Sequence, residues 1–290
     1  MDANALLILL AYSAAIFAAS FSGGKLAALG TMTHTRTQIV MSLVAGFILG
    51  VAMFHLLPHS LDRISGTGIV ERAVGWMVLG MVLMIFLLRI FHFHQHDFSS
   101  EASDLYDDDD HDHGHSVVHS RSLFGVAIGL GVHTVTEGIA LGTIMQIGPS
   151  HEDGVALAGL GVFLAILLHK PLDAYSIIGM MKSAGHSQRA RTLANVGFAI
   201  LCPVVAIASF GGVELLGLEG GATVGYVLAF AAGAFLCIAL SDLLPEIHFH
   251  SHDRGKLIVS LLVGIGLAYA LYYVESSAMH GHGMETHEGH

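Results

Sequence analysis

Two short patterns stand inside apolar stretches of this chain: His133-Thr-Val-Thr-Glu137 and His169-Lys-Pro-Leu-Asp173. In each, a histidine precedes a carboxylate by four positions. That step is about one helical turn, so both side chains leave one face of a helix. Imidazole and carboxylate together suit borderline divalent ions such as zinc, iron(II) or manganese. If the two faces meet, four N and O ligands surround one ion, and the two carboxylates offset its charge in a low-dielectric setting. One such pair alone is as readily a hydrogen-bonded contact between helices. Two pairs of equal spacing, on consecutive apolar runs, argue for a site. Ionisable groups at membrane depth are costly and mark ion paths or binding sites. Gly138 permits a close helix approach, and Pro171 removes one backbone donor, which either frees a carbonyl or kinks the helix.

The elements that must position these groups are membrane helices. Apolar residues make up 53% of the chain and charged residues only 12%, where a soluble domain carries about 25% charged. The mean hydropathy is +0.68. With 35 glycines and 5 prolines, the helices should approach one another through small side chains. Cys202 and Cys237 lie in apolar runs and read as small buried residues, not a disulfide. The net charge of −11 comes largely from one acidic loop. No basic patch suggests a nucleic-acid partner.

A hydrocarbon core needs about 20 apolar residues per helix. Runs of that kind fall at 4–24, 38–58, 73–92, 121–147, 154–181, 191–211, 222–246 and 256–276. They predict an all-α integral membrane bundle of eight transmembrane helices. The first run follows Met1-Asp2 with no basic segment before it, and reads as a retained helix. With both termini extracytoplasmic, nine of the twelve basic residues (Lys25, Arg36, Arg89, Arg121, Lys182, Arg189, Arg191, Arg254 and Lys256) fall at inner ends. Only Arg63 and Arg72 fall outside, with Lys170 inside a helix. Cytoplasmic loops collect Lys and Arg, so this orientation is the expected one.

Ala45 to His59 aligns without gaps with Ala232 to Glu246, matching Ala-Gly starts and Leu-Leu-Pro ends. The first copy runs outward and the second inward, as in inverted repeats that place a substrate site at their interface. The expected plan is 3+2+3: helices 1–3 in 1–92, central helices 4–5 in 121–181, and helices 6–8 in 182–276. Between the first two blocks, 93–120 holds His94, His96, Asp107 to Asp110, His111, His113 and His115. It should form a disordered cytoplasmic loop able to capture metal. The His-rich tail at 277–290 should lie outside. His55 and His59 near the outer end of helix two, and Asp242 and Glu246 near the inner end of helix seven, are candidate pathway residues, with solvated helix ends as the alternative.

With these residues in view, the chain resembles the ZIP family (Zrt/Irt-like proteins) through essentially all eight helices. The likeness is carried by His133-Thr-Val-Thr-Glu137-Gly-Ile-Ala-Leu-Gly142, His169-Lys-Pro-Leu-Asp173, His55-Leu-Leu-Pro58 and Asp242-Leu-Leu-Pro245-Glu246. It implies import of zinc, or a related divalent ion, into the cytoplasm through a site on helices four and five. Many relatives hold a second metal, using polar or acidic residues beside the main ligands and a glutamate on helix six. Here those places correspond to Thr134, Lys170 and Cys202. A lysine ammonium is a donor only and carries the charge a second cation would carry, so this sequence looks built for one ion.

The expected function is transport of a divalent transition metal by alternating access, with Zn2+, Fe2+, Mn2+, Cd2+ or Co2+ as substrate and no cofactor. The partners are the ion and membrane lipid, with a homodimer left open. The expected location is the plasma membrane, or the inner membrane of a bacterial cell. No ATP-binding loop and no His-Glu-x-x-His motif is present, which disfavours a pump and an intramembrane metalloprotease. Export in place of import, and a metal sensor without flux, stay as alternatives.

Overall fold

The computed structural model of the chain describes residues 3–29, 34–91, 120–147, 159–218, 221–240 and 254–280. The helices are α1 (Ala3–Leu29), α2 (His34–Val51), α3 (Leu57–Arg63), α4 (Ile69–Phe91), α5 (Ser120–Ile147), α6 (Leu160–Ser183), α7 (Gln188–Leu215), α8 (Ala222–Ile238) and α9 (Arg254–His280). A π-helical turn at Ala52–Leu56 joins α2 to α3, so these form one span. No β-strand occurs among the described residues. Seven spans are long and apolar enough to cross a membrane, and Ala222–Ile238 is a shorter eighth. The architecture is therefore the eight-helix membrane bundle expected from the apolar runs. The loop histidines His94, His96, His111, His113 and His115, and the pathway candidates Asp242 and Glu246, lie outside the described residues.

The helices pack in pairs. α1 lies along α6, α5 along α7, α2 along α9 and α4 along α8, while α1 also touches α7. In lipid there is no hydrophobic drive between helices, so backbone proximity decides which faces meet. Glycine supplies it, and four of these glycines form two matched pairs. A Cβ on Gly46 would collide with the Leu261 backbone, and one on Gly264 with the Leu43 backbone. In the other pair, Gly233 abuts the Met77 backbone and Gly80 the Phe230 backbone.

These are the same crossing made twice. In the gap-free register that aligns Ala45 with Ala232, Leu43 matches Phe230 and Gly46 matches Gly233. Their partners, Leu261 with Gly264 and Met77 with Gly80, share a spacing of three. The π turn also repeats: it begins at Ala52 in the first copy and at the matching Ala239 in the second. A π turn carries an extra residue into a helix and often marks a functional position. Hydroxyls reinforce the first crossing, where Ser42 Oγ donates to Leu257 O (2.5 Å) and Ser260 Oγ to Ile39 O (2.8 Å).

The interior is filled by Leu9, Ile16, Ile48, Leu56, Leu141, Ile166, Leu228 and Phe235, all essentially inaccessible. The outward faces of α4 and α9 are apolar too, with Val78, Val82 and Phe86 on one and Ile258, Leu262 and Leu267 on the other. Helices that are apolar all round suit a lipid surround. This arrangement leaves α5 and α6 in contact across the middle of the bundle.

Candidate metal centre

α5 and α6 each present one turn of the spaced pair to the seam between them. His133 Nε2 lies 2.9 Å from Glu137 Oε1 and 3.6 Å from Asp173 Oδ2. His169 Nε2 is in hydrogen-bond contact with the same Glu137 Oε1 and lies 3.8 Å from Asp173 Oδ2. One ligand atom from each of the four residues falls within 4.8 Å of the others. The two imidazole rings stand 5.6 Å apart at 49°. His133, Glu137 and His169 are buried, and the Asp173 side chain is 11% exposed.

Hydrogen bonding fixes how these groups can be used. His169 Nδ1 is 2.6 Å from Ala165 O. A carbonyl only accepts, so Nδ1 carries the proton and Nε2 is turned toward the cluster. Outer-shell bonds of this kind set the tautomer of a ligating histidine. Two buried atoms, His133 Nδ1 and Asp173 Oδ2, have no hydrogen-bond partner among the described residues. A buried carboxylate oxygen without a hydrogen bond is costly, and Asp173 Oδ2 has the Lys170 ammonium, 3.6 Å away, to offset its charge.

The neighbouring positions are arranged differently. Lys170 is fully buried. Its ammonium donates to Glu137 Oε2 and to Thr134 Oγ1, the latter at 2.8 Å. Asp173 Oδ2 lies 3.6 Å away, and the Phe198 ring centroid 5.0 Å. Thr134 Oγ1 in turn donates a hydrogen bond to Leu130 O at 2.8 Å. Glu137 thus faces both imidazoles with one oxygen and the ammonium with the other. Cys202 is buried on α7, where its carbonyl touches the face of Gly138 and lets α5 and α7 close up. Pro171 does not interrupt α6, which runs through it to Ser183. Its backbone is met by Gly23 of α1.

At the far end of the bundle, His55 is buried and both its nitrogens are engaged: Nδ1 with Glu275 Oε2 at 2.9 Å and Nε2 with Ala268 O at 3.1 Å. His59 is 4.0 Å from the other oxygen of Glu275 and is part-exposed. Glu275 has no mark in the sequence beyond being a lone carboxylate ending the apolar run 256–276.

Helices of membrane-spanning length and apolarity, with a His/carboxylate cluster buried between two of them, define the class of multi-pass membrane proteins. The model of the ZIP zinc transporter family matches residues 94–271, and the chain belongs to that family. The chain is 29% identical over 187 residues to Zinc transporter ZIP9 of Micropogonias undulatus, covering 62% of this chain and 54% of that protein. It is 26% identical over 151 residues to Zinc transporter SLC39A7 of Rattus norvegicus, covering 49% and 30% respectively. Zinc transporter foi of Drosophila melanogaster is 29% identical over 155 residues, covering 51% and 20%. The chain spans about half the length of the ZIP9 relatives it matches.

Proposed function

We propose that this protein carries divalent transition-metal ions, zinc first among them, across a membrane into the cytoplasm. The observation that carries the reading is the cluster of His133, Glu137, His169 and Asp173, with one ligand atom of each within 4.8 Å. Membership in a family of transporters displaces the metalloenzyme alternative. The ion is the substrate. His133 Nε2, His169 Nε2, Glu137 Oε1 and Asp173 Oδ2 would receive it, with Ala165 O holding the His169 ring in the ligating orientation.

Without an ion, both Nε2 atoms face carboxylate oxygens, and a proton must lie between such partners for the contact to be favourable. An arriving ion takes the place of protons there, and protons return when it leaves. Lys170 sets the residual charge. Two carboxylates and one ammonium leave a single negative charge, so one proton suffices to neutralise the ion-free site. With a divalent ion bound, the site carries net positive charge. Repulsion between two like charges about 4 Å apart is worth about 4 kcal/mol at an effective dielectric near 20, which favours release. The second-metal position at Thr134, Lys170 and Cys202 is read as filled by this ammonium, giving one ion per chain.

Uptake is the direction that the family resemblance favours. Asp173 lies one turn beyond His169 toward Ser183, the end that the nine-to-two bias of basic residues assigns to the cytoplasm. Both termini are then extracytoplasmic, Asp242 and Glu246 belong to the inner exit, and the 93–120 loop meets released ions. Alternating access would proceed by movement of the α1, α5, α6 and α7 group against α2, α4, α8 and α9, the sets that pairwise packing separates. Radiozinc flux into proteoliposomes, with iron(II), manganese, cobalt and cadmium as competitors, tests the reading. A saturable zinc influx is expected; zinc impermeability of a correctly inserted protein would refute it.

A further inference from the structure

The cluster beside the start of α6 is a second buried ionisable pair, separate from the candidate metal ligands. His55 stands in the π turn, which adds a residue to the span and rotates this ring inward. Its Nε2 meets Ala268 O and its Nδ1 meets Glu275 Oε2, both on α9. A carbonyl oxygen and an ionised carboxylate both accept only, so both ring nitrogens must carry hydrogen, or Glu275 must carry the missing one. Either way the contact holds one proton more than a neutral imidazole beside a carboxylate. The ring also forms a contact between helix groups. A Cβ on Gly161, at the start of α6, would stand 2.9 Å from His55 Nδ1 and 3.0 Å from its Cε1. α6 therefore seats directly on the His55 ring by virtue of a glycine.

We propose that His55 and Glu275 form a proton-loaded latch that holds the ends of α2 and α9 together as the seat for the start of α6. Its state would set whether this end of α6 is closed. Loss of the shared proton to bulk water leaves the Nδ1 lone pair facing a carboxylate oxygen. The hydrogen bond is then replaced by repulsion between two acceptors, and the seat loosens. The groups around the pair are His59, Asp62 and Arg63 from α3, Tyr12 from α1 and Tyr272 from α9. From α6 the contact is Gly161. His59, 28% exposed and 4.0 Å from Glu275 Oε1, offers the proton a route to solvent.

Glu275→Gln separates the proton from the bond. The amide nitrogen can donate to Nδ1 of a neutral imidazole, so the contact persists without an extra proton. The test uses the metal-free full chain in detergent, with Cys202 and Cys237 replaced by serine and a cysteine placed at Leu160 beside the seat. The rate of labelling by an impermeant thiol reagent is normalised to a cysteine at the exposed Ser65. The latch predicts a rise of about tenfold on passing from an acidic to an alkaline medium, on the scale of a lost charge-assisted hydrogen bond. Glu275→Gln should stay at the slow rate throughout, and His55→Ala at the fast rate throughout. Should Glu275→Gln not fold, His55→Ala still decides. A pH response unchanged in either variant, or absent from the parent chain, would overturn the proposal. No metal enters the readout, so the outcome is separate from that of the transport reading.

Discussion

Lys170 and Glu137, on neighbouring helices, are fully buried and bonded ammonium to carboxylate. The same carboxylate faces both imidazoles of the candidate metal centre through its other oxygen. A fixed cation is thereby built into the edge of the candidate metal centre. Of the two carboxylates within its reach, Glu137 is the hydrogen-bonded one and Asp173 the more distant, at 3.6 Å.

This relationship makes Lys170→Glu informative. Removing one partner of a buried ion pair costs about 3–5 kcal/mol, and a third carboxylate adds repulsion, so the metal-free variant should melt well below the parent. Zinc should restore its stability, because a ligand that binds only the folded state stabilises it. Equilibrium dialysis of the folded variant should find two ions per chain against one for the parent. One ion per chain in folded Lys170→Glu would show that the lysine does not stand in for a metal.

The repeated glycine crossing predicts matched sensitivity in two distant segments. Gly46→Leu and Gly233→Leu each force a side chain into the backbone of the paired helix. Overpacking of this sort costs about 1–3 kcal/mol. Thermal unfolding in detergent should show comparable losses for both. Gly211, which has open space around it, should accept leucine with little change.

The four ligand candidates were legible in the sequence because a period of four within an apolar run fixes both their face and their depth. The repeat was legible because it is carried by the same Ala-Gly start and Leu-Leu-Pro end, with polar residues at paired positions, in one register. Helix pairing was not, since helices apolar on every side give no periodic signal of which face is inward. Backbone contact at glycine decides it, and that depends on two segments at once. The His55–Glu275 bond was hidden for a similar reason: a lone carboxylate closing an apolar run looks like a solvated helix end. Only the π turn and the α2–α9 crossing bring it to the histidine.

Orientation rests on the distribution of basic residues and can be checked on intact cells. In a chain lacking Cys202 and Cys237, a cysteine at Ser276 should react with an impermeant thiol reagent, and one at Ser100 should not. Labelling at 100 alone would invert the assignment.

The central claim is that His133, Glu137, His169 and Asp173 together form the transport site. Its most direct test is initial radiozinc flux into proteoliposomes holding equal amounts of parent, His133→Ala and Asp173→Ala protein, each shown to be inserted and folded. Loss of one ligand from a four-ligand site should lower flux at subsaturating zinc by at least about tenfold, the lower bound for disturbing even an outer-shell partner. Flux close to the parent value in both variants would contradict the account.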